Sequence, residues 1–252
     1  MTLSIIITNK DDSKTLLRQL NSIIGQTVLP DELILVDDGS SDNSKELMLQ
    51  FFREYKHKLD IKLLFHGLNK GFNERTNEAI KISESDYFYM GSANDYLLPE
   101  FVDNLKKGMI HNVDIVSCCQ DFSGLVEGIY QGKYLMSTGR YIGGHTSCVK
   151  KSSATRFGLL DTYTKWHGDW FLYHSICLYG DVYCISQELS VMTHHPGKMS
   201  CGAYSEEEVD VLNHIIDKIN TQDVYDDIKD DFVPHILHIA KYFQVELGKL
   251  KL

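Results

Sequence analysis

YFYMGSANDYLLPEF, residues 87–101, poses the question on which the fold turns. Tyr87 to Met90 is a short, continuous apolar run, the pattern of a strand buried on both faces. The run breaks at a turn of small residues, delivers Asn94 and Asp95 side by side, and gives way to a new segment at Pro99. A buried strand that ends on an amide and a carboxylate is either closing an ordinary turn or presenting polar ligands to something.

Working outward, runs of the same kind occur upstream: LSIIIT (3–8), ELILVDD (32–38) and IKLLFH (61–66). Between them lie helical patterns, SKTLLRQLNSIIGQ (13–26), DNSKELMLQFFREYKHK (42–58) and NERTNEAIKISES (73–85). Leu16, Leu17, Leu20, Ile23 and Ile24 make one apolar stripe on the first helix. Ser13 is placed to cap that helix, and Ser41 or Asp42 to cap the second. Strand–helix alternation at this spacing predicts an α/β fold with a doubly wound, mostly parallel, Rossmann-like sheet. Such sheets bind ligands beyond the carboxyl ends of their strands, so the residues that follow strands are the candidates for chemistry. Downstream, the pattern predicts a helix over 99–110 with Pro99 in its first turn. Strands are expected at 114–120, 181–186 and 188–194, with a helix around 169–180. From residue 205 the pattern is purely helical, over 205–220 and 233–250, a tail that either caps the sheet or mediates self-association.

The chain has 252 residues, 43% of them hydrophobic, enough for one large domain or a domain with a helical appendage. A formal charge of −10 argues against a binder of nucleic-acid backbone, which carries a basic face, but not against a nucleotide held by a few local donors. MTLSIIITNK lacks the basic region of a secretory signal, and no stretch approaches the roughly 18–20 apolar residues of a membrane span. The six cysteines (118, 119, 148, 177, 184 and 201) form no CxxC pair. Buried, reduced thiols in a cytoplasmic protein are the expectation.

The first strand ends in Thr8-Asn9-Lys10-Asp11 and the second in VDDGSSDNS. Read on its residues alone, DDGS is either a β-to-α turn with capping side chains or a strand-tip carboxylate accepting from a base N–H or a sugar hydroxyl. No Walker or GxGxxG loop is present, so a nucleotide diphosphate would have to be met by a metal ion or by side chains. KWHGDWFLYHSI places Asp169 among Trp166, His167 and Trp170. A carboxyl held beside apolar rings has its pKa raised, which suits a general base. The alternative is a helix cap with core tryptophans. His167 reads either as an orienting neighbour or as a polar turn residue.

Taken in order, SIIIT, SIIGQT, ELILVDDGSSDNS, NKGFNERTNEAI and SANDYLLPEF resemble inverting family 2 glycosyltransferases of the GT-A fold. The resemblance covers residues 3–101 and continues through KWHGDWF and VMTHHPGKMS to about residue 200. It implies a GT-A domain over 1–204, with a nucleotide-binding half (1–100) and a sugar and acceptor half (101–204), followed by a helical extension over 205–252. The implied reaction moves a sugar from a nucleotide diphosphate donor, UDP- or dTDP-linked, to a hydroxyl of a glycan or lipid-linked acceptor. By the same resemblance Thr8 lies near the nucleotide, Asp38 receives the base N–H, and Arg75 and Asn77 lie near the base or diphosphate. Asp169 is the implied base, Gly144 lies where backbone approaches the donor sugar, and His194, His195 and Lys198 face the diphosphate.

The turn that opened the question occupies the position of the family's DxD-type motif, commonly Asp-x-Asp-Asp. Here it reads Ser92-Ala93-Asn94-Asp95. Asn94 stands at the cation position, where a neutral amide binds Mg²⁺ or Mn²⁺ more weakly than a carboxylate does. Three accounts stay open: Asp95 holds a divalent cation with help from Asn94; transfer proceeds without metal; or the chain is a sugar-nucleotide-binding or scaffold protein that has lost catalysis. A nucleotidyltransferase would share the sheet but needs a glycine-rich basic loop after its first strand, and TNKDDSKT is not one. A lipid-linked acceptor would bring the protein to the inner face of the membrane, and the C-terminal helices offer a dimer surface.

Overall fold

The computed structural model describes residues 1–118, 125–140, 142–193 and 207–252. Strands β1 (Leu3–Asn9), β2 (Glu32–Asp37), β3 (Asp60–Phe65) and β4 (Tyr87–Ser92) alternate with helices α1 (Ser13–Ile24), α2 (Ser44–Tyr55) and α3 (Phe72–Ile82). Every residue of β1 and β2 is buried, as expected for strands covered on both faces, whereas the edge strand β3 is half-exposed. The three pairings among these four strands are parallel, and their register aligns the carboxyl ends. Thr8 pairs with both Val36 and Ser92, and Asn9 with Asp37. One rim of the sheet therefore collects Asn9, Asp38 and the Ser92–Asp95 turn.

The caps differ from expectation. Ser13 is the first residue of α1 and not its cap. Its N–H donates to Asp42 Oδ2 at 2.9 Å, while Asp42 Oδ1 accepts from Ser44 N–H at 3.0 Å. One carboxylate thus satisfies a free N–H at the start of two helices, a use that neither local sequence predicts. Pro99 also lies ahead of its helix: α4 begins at Phe101.

The second half adds β5 (Tyr96–Leu97), α4 (Phe101–Met109), β6 (Ile115–Cys118), β7 (Gly128–Gln131), α5 (Gly132–Ser137), β8 (Ser147–Lys150), α6 (Lys151–Arg156), α7 (Gly168–Tyr179), β9 (Asp181–Ile185) and β10 (Ser190–Val191). The main sheet runs β3-β2-β1-β4-β8-β6-β9-β7. β8 enters antiparallel to both β4 and β6, and β7 is antiparallel to β9, so the parallel winding is confined to the β3–β4 half and the β6–β9 pair. The strand expected at 188–194 shrinks to the two residues of β10, paired with β5. The four described cysteines, Cys118, Cys148, Cys177 and Cys184, are all buried.

Helix α7 is apolar on every side, and Trp170 through Leu178 are all buried, so it needs cover on the face away from the sheet. The tail supplies it as α8 (Glu207–Thr221) and α9 (Lys229–Tyr242). Leu212, Ile215, Phe232 and Ile236 join one apolar cluster with Phe171 and Ile176. Phe232 meets Trp170 and Phe171 edge-on at 5.9 and 5.5 Å, and Tyr225 stacks on Phe171 at 5.6 Å. These residues of the tail thus cap α7 within the chain.

Candidate active site

The rim of the sheet and the start of α7 enclose a cavity of about 630 Å³. Thr8 and Asn9 enter it from β1, Asp38 from the end of β2, Asn94 and Asp95 from the turn after β4, and Trp166 and Asp169 from the approach to α7. The two carboxylates singled out in the sequence therefore share one cleft.

Their surroundings differ. Asp38 is 2% exposed and accepts from three donors. Oδ1 accepts from the Lys70 N–H at 2.9 Å and from Arg75 Nε at 2.8 Å, and Oδ2 accepts from the Gly71 N–H at 2.8 Å. Burial alone would raise its pKa, but the Arg75 guanidinium and the two amides outweigh it and hold the carboxyl below its ordinary range. Of roughly four acceptor positions on a carboxylate, three are occupied. Asp169 sits in the first turn of α7, where Oδ1 accepts the Trp170 N–H at 2.8 Å. It thus serves partly as the cap that the alternative reading foresaw. Burial pushes its carboxyl up, and the Trp170 N–H and the nearby His167 and His145 offset that only in part. Gly144 opens a 3₁₀ turn directly behind it, and a Cβ there would lie 3.0 Å from Asp169 Oδ2. Gly144 backs the carboxyl and does not line the cleft.

Arg75 and Asn77 also differ from the sequence expectation. Neither lines the cavity. Arg75 is 5% exposed and turned behind Asp38, with Nη2 on the Leu68 carbonyl at 2.8 Å and Nη1 on Glu78 at 3.1 Å. Asn77 bonds both the N–H and the carbonyl of Leu160, at 2.9 and 2.7 Å, tying α3 to the chain that leads toward α7. Thr8 lines the cleft, with its hydroxyl 3.1 Å from that of Thr76. His194, His195 and Lys198 lie outside the described residues.

Sequence reading missed Asn73 and Glu208. Asn73 lines the cleft and its Nδ2 donates to the carbonyls of Asp161 and Lys165, at 3.0 and 2.8 Å. It stands next to Arg75 in a stretch read for its arginine. Glu208, in the first turn of α8, accepts the Trp166 indole N–H at 2.7 Å and lies 2.7 Å from His167 Nε2. Only a favourable charge at a helix start marked it in the sequence.

The family model described as Glycosyl transferase family 2 matches residues 4–178. The chain belongs to glycosyl transferase family 2. A curated relative, the poly-β-1,6-N-acetyl-D-glucosamine synthase of Staphylococcus epidermidis, is 23% identical over 173 residues, 64% of this chain and 42% of its own length. This family 2 chain spans about two fifths of the length of the first curated relatives it matches. Among solved structures, S. aureus TarS 1–349 in complex with UDP-GlcNAc superposes with a TM-score of 0.77 at 18% identity, over 99% of this chain and 77% of that one. The mannosyltransferase PcManGT of Pyrobaculum calidifontis, in complex with GDP-Man and Mn²⁺, gives 0.71 at 17% identity, over 98% and 70%. These two likenesses establish the GT-A fold. Among the described residues, no helix is long and apolar enough to cross a membrane.

Family 2 enzymes of this fold often use a divalent cation, and the Ser92–Asp95 turn is where one would be held. Asn94 and Asp95 both line the cleft, 7% and 6% exposed. Asp95 Oδ1 already accepts the Thr193 N–H at 2.8 Å, and the Asn94 carbonyl accepts from Arg18 Nη2 at 2.5 Å. Among the described residues no group of three His, Cys, Asp or Glu side chains converges as metal ligands would. Such ions are held through one or two carboxylates together with substrate phosphate oxygens, and the protein side of this turn offers one amide and one carboxylate with an oxygen already engaged.

Proposed function

We propose that this family 2 chain transfers a sugar from a nucleotide diphosphate donor to an acceptor hydroxyl, inverting the anomeric carbon, with Asp169 as general base. The observation that carries the reading is the shared cleft of Asp38 and Asp169, with one carboxyl held low and the other pushed up. Asp38, kept ionised, has one acceptor position left for a base N–H. Thr8 and Asn9 line the floor beside it. Asp169, lining the same cleft, takes the proton of the acceptor hydroxyl as its oxygen bonds to the anomeric carbon and the bond from that carbon to the diphosphate oxygen breaks. Lys10 and Lys165 line the same cleft, paired with Asp11 and Glu207, and an exchange of those partners for the departing diphosphate would meet its charge. The UDP-GlcNAc complex of TarS and the relative named as a poly-N-acetylglucosamine synthase favour a UDP-linked donor and a glycan acceptor. A lipid-linked acceptor at the inner face of the membrane is compatible with the same chemistry.

The test is Asp169→Asn, assayed for transfer or donor hydrolysis and, separately, for UDP binding by calorimetry. UDP affinity should be kept while kcat falls by about 10²–10⁴-fold. In the unaltered enzyme the rate should decline on the acid side through a pKa above the ordinary 3.8, because the base must be unprotonated to act. Full turnover in the asparagine variant removes Asp169 as base. Asn94 in place of an aspartate motivates the second reading, a sugar-nucleotide-binding protein without catalysis. It predicts UDP binding with no turnover in the unaltered protein.

A further inference from the structure

The segment that leads into Asp169 is held from both sides. Lys165 adopts φ 48°, ψ −111°, a strained conformation for a non-glycine residue that persists only where its surroundings impose it. On the α3 side, Asn73 Nδ2 bonds the Lys165 carbonyl, and Gly168 approaches the Asn73 amide so closely that a Cβ would lie 2.4 Å from it. On the other side stands the start of α8. Glu207 pairs with Lys165 Nζ. Glu208, 1% exposed, spans two consecutive residues, with Oε2 on the Trp166 indole N–H and Oε1 on His167 Nε2, both at 2.7 Å.

A carboxylate buried this deeply is expensive unless its oxygens are met. Both donors that meet Glu208 come from the two residues directly ahead of Gly168 and Asp169. Trp166 lines the cleft. His167 is 4% exposed and ringed by Trp166, Trp170 and Phe243 at centroid distances of 6.2, 5.7 and 5.5 Å. Two rigid rings tied to the two oxygens of one carboxylate set both the depth of Trp166 in the cleft and the start of α7. Glu208 lies beyond residues 4–178, so the tail supplies this tie from outside the family's matched span.

We infer that Glu208 is a positioning residue for the transfer: its carboxylate fixes Trp166 and His167 so that the first turn of α7 presents Asp169 to the acceptor. The α8–α9 pair is then part of the working enzyme as well as its cover. The role rests on the reading of Asp169 as base.

The experiment compares full-length Glu208→Ala and Glu208→Gln with the unaltered protein, measuring kcat and donor KM per UDP-binding site counted by calorimetry. A misplacement on the order of 1 Å can cost about 10²-fold in rate. Glu208→Ala should therefore lose about 10²-fold in kcat, with UDP affinity and donor KM within about threefold, because the Asp38 end is untouched. Glu208→Gln, whose amide oxygen still accepts the indole N–H, should recover about tenfold of that loss. A merely structural role would lower the melting temperature and the fraction of UDP-binding protein but leave kcat per site unchanged, and that result overturns the inference. If the alanine variant fails to fold, unaltered kcat in the glutamine variant overturns it equally. Failure here with Asp169→Asn still inactive leaves the base reading standing. Full turnover in Asp169→Asn sinks both, since no base remains to be positioned.

Discussion

Replacing Arg75 by methionine tests whether that arginine serves the donor directly or serves Asp38. Its side chain is 6% exposed and that of Asp38 is 3% exposed, with Nε to Oδ1 at 2.8 Å. At an effective dielectric of about 20, two unit charges at that separation attract by roughly 332/(20 × 2.8), about 6 kcal/mol. The Lys70 and Gly71 amides stay on the carboxylate, and water can enter as the guanidinium leaves, so the net loss is smaller. Breaking a buried pair from one side usually costs about 3–5 kcal/mol. For a chain of this size that corresponds to a fall in melting temperature of roughly 6–10 °C. The assay is thermal unfolding of Arg75→Met, Asp38→Asn and the double variant, with UDP titration of each. Removing the charge from Asp38 relieves the stranded carboxylate, so the double variant should be less destabilised than the two single losses summed. UDP binding should weaken in Arg75→Met through misplacement of Asp38. A melting point within 2 °C of the unaltered protein, or strictly additive losses, refutes the assignment of Arg75 as the partner that holds Asp38.

Gly144→Ala places a Cβ 3.0 Å from Asp169 Oδ2, so the carboxyl must give way by a few tenths of an ångström. A roughly three- to tenfold loss of kcat with unchanged UDP affinity is expected in steady-state assays. His174 donates Nδ1–H to the Trp170 carbonyl, and burial, assisted by His235, depresses its pKa to about 3 from 6.5. The unfolded chain then takes up a proton that the native state refuses, so stability is full above pH 6.5 and falls as pH drops toward 3. The slope from this group is about 1.4 kcal/mol per pH unit, and the urea midpoint of His174→Gln should fall less steeply between pH 7 and 5 than that of the unaltered protein. Asn94→Asp adds an anionic oxygen to the Ser92–Asp95 turn and should tighten Mn²⁺ binding by about tenfold in calorimetry with UDP present; unchanged affinity would dissociate Asn94 from any cation site.

The first four strands were legible because each is a nearly unbroken apolar run; the rule that ligands gather at carboxyl strand ends pointed to the segments after them, and the family resemblance picked out Thr8, Asp38, Asn94 and Asp95 there, all of which line the cleft. β8 was not legible. Ser147–Lys150 is four residues long with a polar residue at each end, and only its insertion between β4 and β6 makes it a strand. Arg75 was found but its direction was not, since its partner lies 37 residues away and nothing in NERTN says which way a helix residue faces. Glu208 was the least legible. Its donors lie 41 and 42 residues upstream, and a glutamate in the first turn of a helix already has a local explanation in the helix dipole. Local patterns report periodicity and strand ends; they carry no record of which distant side chain a buried charge will meet.

That limit explains why two aspartates of similar local appearance come to differ. Asp38 follows the last residue of β2 and Asp169 stands in the first turn of α7, so each lies at an element boundary. Asp38 meets a guanidinium from α3 and two amides from the loop before it, so ionisation is favoured and the group is fixed as an acceptor. Asp169 meets one amide within a helix made apolar on every side, so its proton is held more tightly. A cleft in which one carboxyl is held below its ordinary range and another is pushed above it has the asymmetry proposed for displacement at a sugar carbon, the first suited to holding the donor and the second to activating the acceptor. The asymmetry comes from the covers, α3 with its preceding loop on one side and α7 with the tail on the other. Changes in either cover should therefore alter one carboxylate's behaviour while sparing the other.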